Sequence, residues 1–186
     1  MSIADLEPVK KVRKALKDAG LDDTVIELDE PMENAAQAAA ALATEAGAVV
    51  SARIYAIGTR MVLVLAAGDH APVEANLGAA AFIEGDVREA TDAEIRGLTG
   101  FSADCVPPAG WKHPVPVLID RSLKRFETLY AMARDPQCAF QISMDGLQRL
   151  TRATASLNVA PPPEATPRIS PMAPNQPCAR LRRPLP

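Results

Sequence analysis

The sequence predicts one α+β domain built on a mixed, mainly antiparallel central sheet flanked by helices. Three observations carry that expectation. Two β-branched runs, Val49–Ile57 and Met61–Ala67, are joined by Gly58-Thr59-Arg60, the spacing of a hairpin. Helical stretches surround them without the regular strand–helix alternation of a doubly wound sheet. And 186 residues, 48% of them apolar, fill one core but not two comfortable ones.

The elements follow in order. In Pro8–Ala19, Val9, Val12, Leu16 and Ala19 recur at helical spacing, with Gly20 just past the end as a C-terminal cap. Thr24–Leu28 reads as a short strand. Asn34 stands as N-cap before the alanine-rich run AAQAAAALATEAG, a strong helix former expected to continue to Gly47. The hairpin comes next, then a helix over Val73–Ala81 and a second over Asp92–Leu98, capped by Thr91 or Asp92. Strands are expected at Val115–Ile119, Thr128–Ala133 and Cys138–Ile142, with a helical or irregular turn through Leu123. Ser143 caps a final helix from Met144 to about Thr151. No internal repeat is visible.

Charge and composition divide the chain at about residue 160. Residues 160–186 hold nine of the seventeen prolines, four arginines and one glutamate. That is too little apolar content to pack, and the segment reads as a disordered or extended tail after a domain spanning 1–159. The whole chain carries −3, so the tail's +3 leaves residues 1–159 at −6. So acidic a domain is not a general nucleic-acid binder, and DNA is not an expected partner. No run has the apolar length to span a membrane, and the start, MSIADLEPVKK, lacks the apolar stretch of a secretory signal. A cytoplasmic location and no membrane partner are therefore expected. Cys105, Cys138 and Cys178 with His70 and His113 have no metal-ligand spacing, so neither a metal nor another cofactor is expected.

The stretch Thr99–Asp120, TGFSADCVPPAGWKHPVPVLID, carries the most functional information. Its paired prolines fix two φ angles and remove two donors, giving a stiff loop beside a strand end, where small pockets are built. With the blocks GLDDTVIEL, AAQAAAAL, AGAVVSARIY, VLVLAAGDH, EIRGLTGF, ARDPQCAF and ISMDGLQRLT in this order, the chain resembles the YbaK/ProX family. These are free-standing aminoacyl-tRNA editing domains related to the insertion domain of bacterial prolyl-tRNA synthetases. The resemblance runs from about Val9 to Val159. It implies the fold of that editing domain, and hydrolysis of the ester joining a mischarged amino acid to the terminal adenosine of a tRNA. It also implies catalysis by orientation and oxyanion stabilisation, without a side-chain nucleophile.

Carried onto this chain, the resemblance gives the catalytic part to the backbone amides of Cys105 and Val106 and to Gly110, and substrate contact to Ser51, Arg53, Gly68, Asp104, Pro108, Asp120, Asp135 and Cys138. The family's strand lysine falls at Ser51. Arg53, two residues on and on the same face of a strand, either takes over as a phosphate-binding fork or is a solvated strand residue. Paired family glycines fall at Asp104 and Cys105, and a turn glycine at Arg134, so backbone approach to a ligand is restricted there. Cys105 has neither histidine in its motif, against a thiol nucleophile. Asp120 either accepts from the amino group of the aminoacyl moiety or caps its own turn. Trp111 either stacks on the terminal adenine or packs on the Pro loop. Lys112, Arg121 and Lys124, with His113 and Arg125 nearby, are candidate tRNA-backbone contacts. Small residues at or near the pocket (Ser51, Ala66, Ala67, Cys138) favour a small acyl group. The expected activity is thus trans-editing of aminoacyl-tRNA, with an aminoacyl-tRNA synthetase as a second candidate partner. The alternative is a degenerate member that binds such a ligand without efficient hydrolysis.

Overall fold

The computed structural model describes residues 6–100, 106–111 and 113–155. Asp104, Cys105, Lys112 and the proline-rich segment 160–186 lie outside them. The first helix, α1 (Glu7–Asp18), buries Val9, Val12 and Leu16, and Gly20, at φ +69°, carries the chain away from its end. Strand β1 (Val25–Glu27) follows, then α2 (Ala35–Ala41), whose N-cap Asn34 accepts from the Gln37 amide at 2.9 Å.

Helix α2 is shorter than the alanine run predicts. Ala43 turns to φ +50°, the Thr44 amide closes back onto the Ala39 carbonyl, and Ala46–Ala48 forms a 3-10 turn. Gly47 does not stop a helix. A Cβ there would lie 2.7 Å from Phe126 Cζ and 2.9 Å from Asp69 Oδ2, so glycine lets this turn pass beneath both.

The hairpin forms as expected from β2 (Val50–Ile57) and β3 (Arg60–Ala67), in antiparallel register from Val50 opposite Ala67 to Ile57 opposite Arg60. Helix α3 (Glu74–Ala81) leads to β4 (Val87–Glu89), a three-residue edge strand absent from the sequence expectation, which pairs antiparallel with β2 so that Glu89 faces Tyr55. Helix α4 (Asp92–Thr99) opens on a complete capping box between Thr91 and Glu94. The Arg88 guanidinium, at 2.7 and 2.8 Å, leads the contacts that hold the Glu94 carboxyl down to about 2.

Strand β5 covers only Val117–Ile119, because Pro114 and Pro116 have no amide to give a ladder. It runs parallel to β3. After a 3-10 turn at Arg121–Arg125 come β6 (Leu129–Asp135), β7 (Cys138–Ile142), α5 (Met144–Thr151) and β8 (Thr154–Ala155).

The strands pair in two groups, β4-β2-β3-β5-β8 and the antiparallel β1-β7-β6, linked by a parallel bridge between Val49 and Tyr130. Four pairings are antiparallel and two parallel, making a single α+β domain. The main core lies between one face of the larger sheet (Val50, Ile54, Leu63, Leu65), the smaller sheet (Leu129, Ala131, Phe140) and residues of α1, α4 and α5. The opposite face (Tyr55, Ile57, Val62, Val64) is covered by Leu77 of α3. A third cluster joins α2 to Val49 and Ala139, and so closes the corner where β2 begins.

Candidate active site at the start of strand β2

That corner contains a cavity of about 460 Å³. Its walls are the start of β2, the residues opening α2, Gly68 at the end of β3, Glu89 of β4, Val106 and Met132 of β6. The size is that of a small-molecule site.

Gly68 makes the corner possible. A Cβ on it would stand 2.5 Å from the Ala46 carbonyl oxygen, 2.6 Å from the Ala35 Cβ and 2.9 Å from the Val49 carbonyl oxygen. Its amide donates to that Val49 carbonyl at 2.8 Å. The glycine therefore lets the α2 entrance, the 3-10 turn and the β3 end converge behind the pocket. The reason is close backbone approach, not an unusual φ.

The charged groups in the wall are few. Among the described lining residues, Arg53, Glu33 and Glu89 ionise. Arg53 Nη1 lies 3.4 Å from Glu89 Oε1, with the two side chains 48% and 54% exposed. So open and long a pair contributes little to stability, leaving both charges available at the mouth at little cost. Arg53 also influences the buried Tyr55 hydroxyl, whose pKa is raised, first by burial and then by Glu89, against the opposing pull of Arg53.

The structure divides the site residues expected from sequence into groups. Ser51, Arg53, Gly68 and Val106 line this cavity together. Pro108, Gly110 and Trp111 line a different one, of about 550 Å³, against α1 and the end of α5. There the Trp111 indole donates to the Pro107 carbonyl at 2.8 Å and the ring packs against the core. Gly110 adopts φ +86°, with its Cα facing the α1 backbone at Lys11.

Asp120, Asp135 and Cys138 line neither cavity. Asp120 is buried and accepts from the Ser122 amide at 2.7 Å, the turn-capping alternative. Asp135 accepts from the Gln137 amide at 2.9 Å in the β6–β7 turn. Cys138 is wholly buried in the main core, and burial, with Asp135 and Glu27, pushes its thiol up to about 11. The small residues that do line the pocket are Ala35, Ala38, Ser51, Ala52 and Gly68, in place of Ala66, Ala67 and Cys138.

Arg121 and Lys124 are exposed on the 3-10 turn. Their neighbour Arg125 is engaged within the fold. Its guanidinium donates to both Asp69 oxygens, at 2.8 and 3.0 Å, while Nε donates to the Ser122 carbonyl and the group lies 4.9 Å from the centre of the Phe126 ring. His70 Nδ1 meets the same carboxylate. Partial burial raises the Asp69 pKa, but the hydrogen bonds from His70 and Arg125 outweigh it and the net shift is downward. This cluster braces the residues just after Gly68.

Sequence reasoning missed Glu89, Glu33 and Met132. Glu89 sits on a strand too short to show a period, and Met132 arrives from the other sheet. Among the described residues no group of three or more His, Cys, Asp or Glu is placed to hold a metal ion, and no helix is long and apolar enough to cross a membrane.

A family profile for the aminoacyl-tRNA editing domain matches residues 29–150. Among solved structures, a proposed trans-editing enzyme for prolyl-tRNA synthetase is 27% identical, superimposes with a TM-score of 0.74, and covers 83% of this chain and 97% of its own. A scaffold used for grafting linear epitopes is also 27% identical, with a TM-score of 0.73 over 81% of this chain and 95% of its own. The hypothetical protein APE2540, 24% identical with a TM-score of 0.73 over 81% and 99%, shares the fold. No curated protein matches the sequence significantly. The profile spans well over half of the chain and includes every wall of the β2 cavity: the chain belongs to the aminoacyl-tRNA editing domain family.

Proposed function

We propose that this protein is a trans-acting aminoacyl-tRNA deacylase that removes a small amino acid from a mischarged tRNA. Family membership supports aminoacyl-tRNA editing in general. The observation that carries the finer reading is the convergence of Ser51, Arg53, Gly68 and Val106 on one cavity of about 460 Å³. That volume must accept the ester and part of the ribose, which leaves room for a short side chain.

The proposed chemistry needs no protein nucleophile. A water oxygen attacks the ester carbonyl carbon, and backbone amides of the Cys105–Val106 segment stabilise the oxyanion. Collapse breaks the bond to the ribose oxygen, which leaves as the hydroxyl after taking up the proton that the water gave up. Arg53 fixes the tRNA end through the phosphate preceding the terminal adenosine, for which a guanidinium fork is well shaped. Exposed Arg121 and Lys124, with Lys112, extend that electrostatic contact along the backbone.

A second reading is a domain that binds the aminoacylated end without hydrolysing it efficiently, favoured by Ser51, Asp104, Cys105 and Arg134 where the family resemblance implies lysine and glycines. Purified protein offered tRNAs charged with alanine, serine, threonine, cysteine and 2-aminobutyrate separates the two. Hydrolysis of one or a few above spontaneous loss, abolished in Arg53→Ala with an unchanged melting curve, is the expected result. Inactivity on the whole panel by folded protein leaves the binding reading.

A further inference from the structure

We propose that Glu89 is the acceptor for the α-ammonium group of the aminoacyl moiety and works as one half of a bipolar clamp with Arg53. The assignment rests on the cavity at the start of β2 being the aminoacyl-end site. Glu89 and Arg53 both line it, and they reach it from two paired strands: Glu89 faces Tyr55, two residues beyond Arg53. The 3.4 Å contact engages one carboxylate oxygen, Oε1, and one guanidinium nitrogen, Nη1. The pair is half-exposed and contributes little to folding, so separating its halves costs little.

The charges of the ligand match. An aminoacylated tRNA end has a cationic amine on the acyl side of the ribose and an anionic phosphate on the other. Entering the clamp, it exchanges one weak internal pair for two charge-assisted hydrogen bonds, ammonium to Glu89 and guanidinium to phosphate. A neutral amine substitute, such as an N-acylated or peptidyl ester, gains only the second bond and leaves the Glu89 carboxylate without its new partner. The mouth of the cavity thereby selects single, unblocked aminoacyl groups over peptidyl ones. Glu33 also lines the cavity, but it belongs to the segment entering α2, whereas the carboxylate that meets Arg53 is that of Glu89.

The test uses amide-linked 3′-alanylamino-3′-deoxyadenosine 5′-phosphate, which cannot be hydrolysed at the ester position, with its amine free or acetylated. Dissociation constants are measured for wild type, Glu89→Gln and Glu33→Gln. The wild type is expected to favour the amine-bearing probe by about tenfold or more, the worth of one hydrogen bond to a charged group. Glu89→Gln is expected to erase that preference while binding the acetylated probe within about twofold of wild type. Erasure by Glu33→Gln instead, equal weakening of both probes in Glu89→Gln, or no wild-type binding of either probe overturns the assignment. Because the probe reports binding alone, amine selectivity in a protein that hydrolyses no charged tRNA upholds the clamp and refutes only the deacylase reading.

Discussion

Gly68→Ala isolates the packing that makes the pocket. The added methyl would stand 2.5 Å from the Ala46 carbonyl oxygen and 2.9 Å from that of Val49, both backbone atoms that no rotamer change can move. An ordinary carbon–oxygen contact is about 3.3 Å, so the 3-10 turn and the end of β3 must part by roughly 0.8 Å. Overpacking of this kind costs about 1–3 kcal/mol. For a folded unit near 150 residues, the melting temperature should then fall by about 2–12 °C. The retreat also moves Ala35, 2.6 Å from the new methyl, away from the cavity wall. Turnover should drop even at temperatures where the variant is fully folded. Gly97→Ala provides the opposite sign. Nothing lies within 4 Å of a Cβ at that exposed position in α4, and alanine there should stabilise by about 0.5–1 kcal/mol. Thermal melts of both variants with a deacylation assay make the comparison. An unshifted melting temperature and wild-type turnover in Gly68→Ala would refute the reasoning.

Three further outcomes are expected. Because Arg125 and His70 hold the Asp69 carboxyl below its ordinary 3.8, its contribution to stability is complete above that value and is lost as pH falls through the lower folded one. The melting-temperature gap between wild type and Asp69→Asn should stay constant from neutral pH to about 5, then close under more acid conditions; a gap that persists at the acid limit counts against the cluster. Cys138, buried and shifted to about 11, should be dispensable for chemistry. Cys138→Ala should keep wild-type turnover per folded molecule while melting lower, and loss of turnover in the folded variant would return the thiol to the site. Removing residues 160–186 is expected to leave the melting temperature within about 2 °C of the full chain, with a larger fall moving the proposed domain boundary.

Most of the fold was legible because its signals are local. The hairpin has long β-branched runs and a glycine turn, α1 has a clear apolar stripe, and Asn34, Thr91 and Ser143 each cap the helix they precede. Where tertiary packing overrides propensity, the sequence misleads. Alanine-rich residues 42–48 favour helix in isolation, but the chain turns at Ala43 so that Gly47 can pass beneath Phe126 and Asp69. The site was legible in the same partial way. Ser51 and Arg53 lie on a strand whose alternation fixes their faces, and Gly68 directly follows one. Pro108, Gly110 and Trp111 are near Val106 in sequence yet face another cavity, because stiff prolines turn the chain away within two residues.

The position of the cation bears on the role proposed for Glu89. The family resemblance puts a lysine at position 51, where Ser51 pairs with Ala66 of β3. The pairing between β2 and β4 begins only at Tyr55. Moving the positive charge two residues along β2, to Arg53, shifts it by about 6.6 Å on the same face of the strand. That displacement brings it beside the end of β4 and within 3.4 Å of Glu89. A cation at position 51 would lie a further two residues from that carboxylate. On the proposed reading the relocation does two things together: it substitutes a planar phosphate fork for a point charge, and it recruits an acid able to receive the ammonium at the other end of the substrate. Ser51→Lys combined with Arg53→Ala separates these effects. This double variant should recover phosphate-dependent binding of the amide-linked probe yet leave the preference for the amine-bearing form unchanged in its dependence on Glu89. If that preference disappears with Arg53 while Glu89 stays in place, the carboxylate is held for the arginine and not for the substrate.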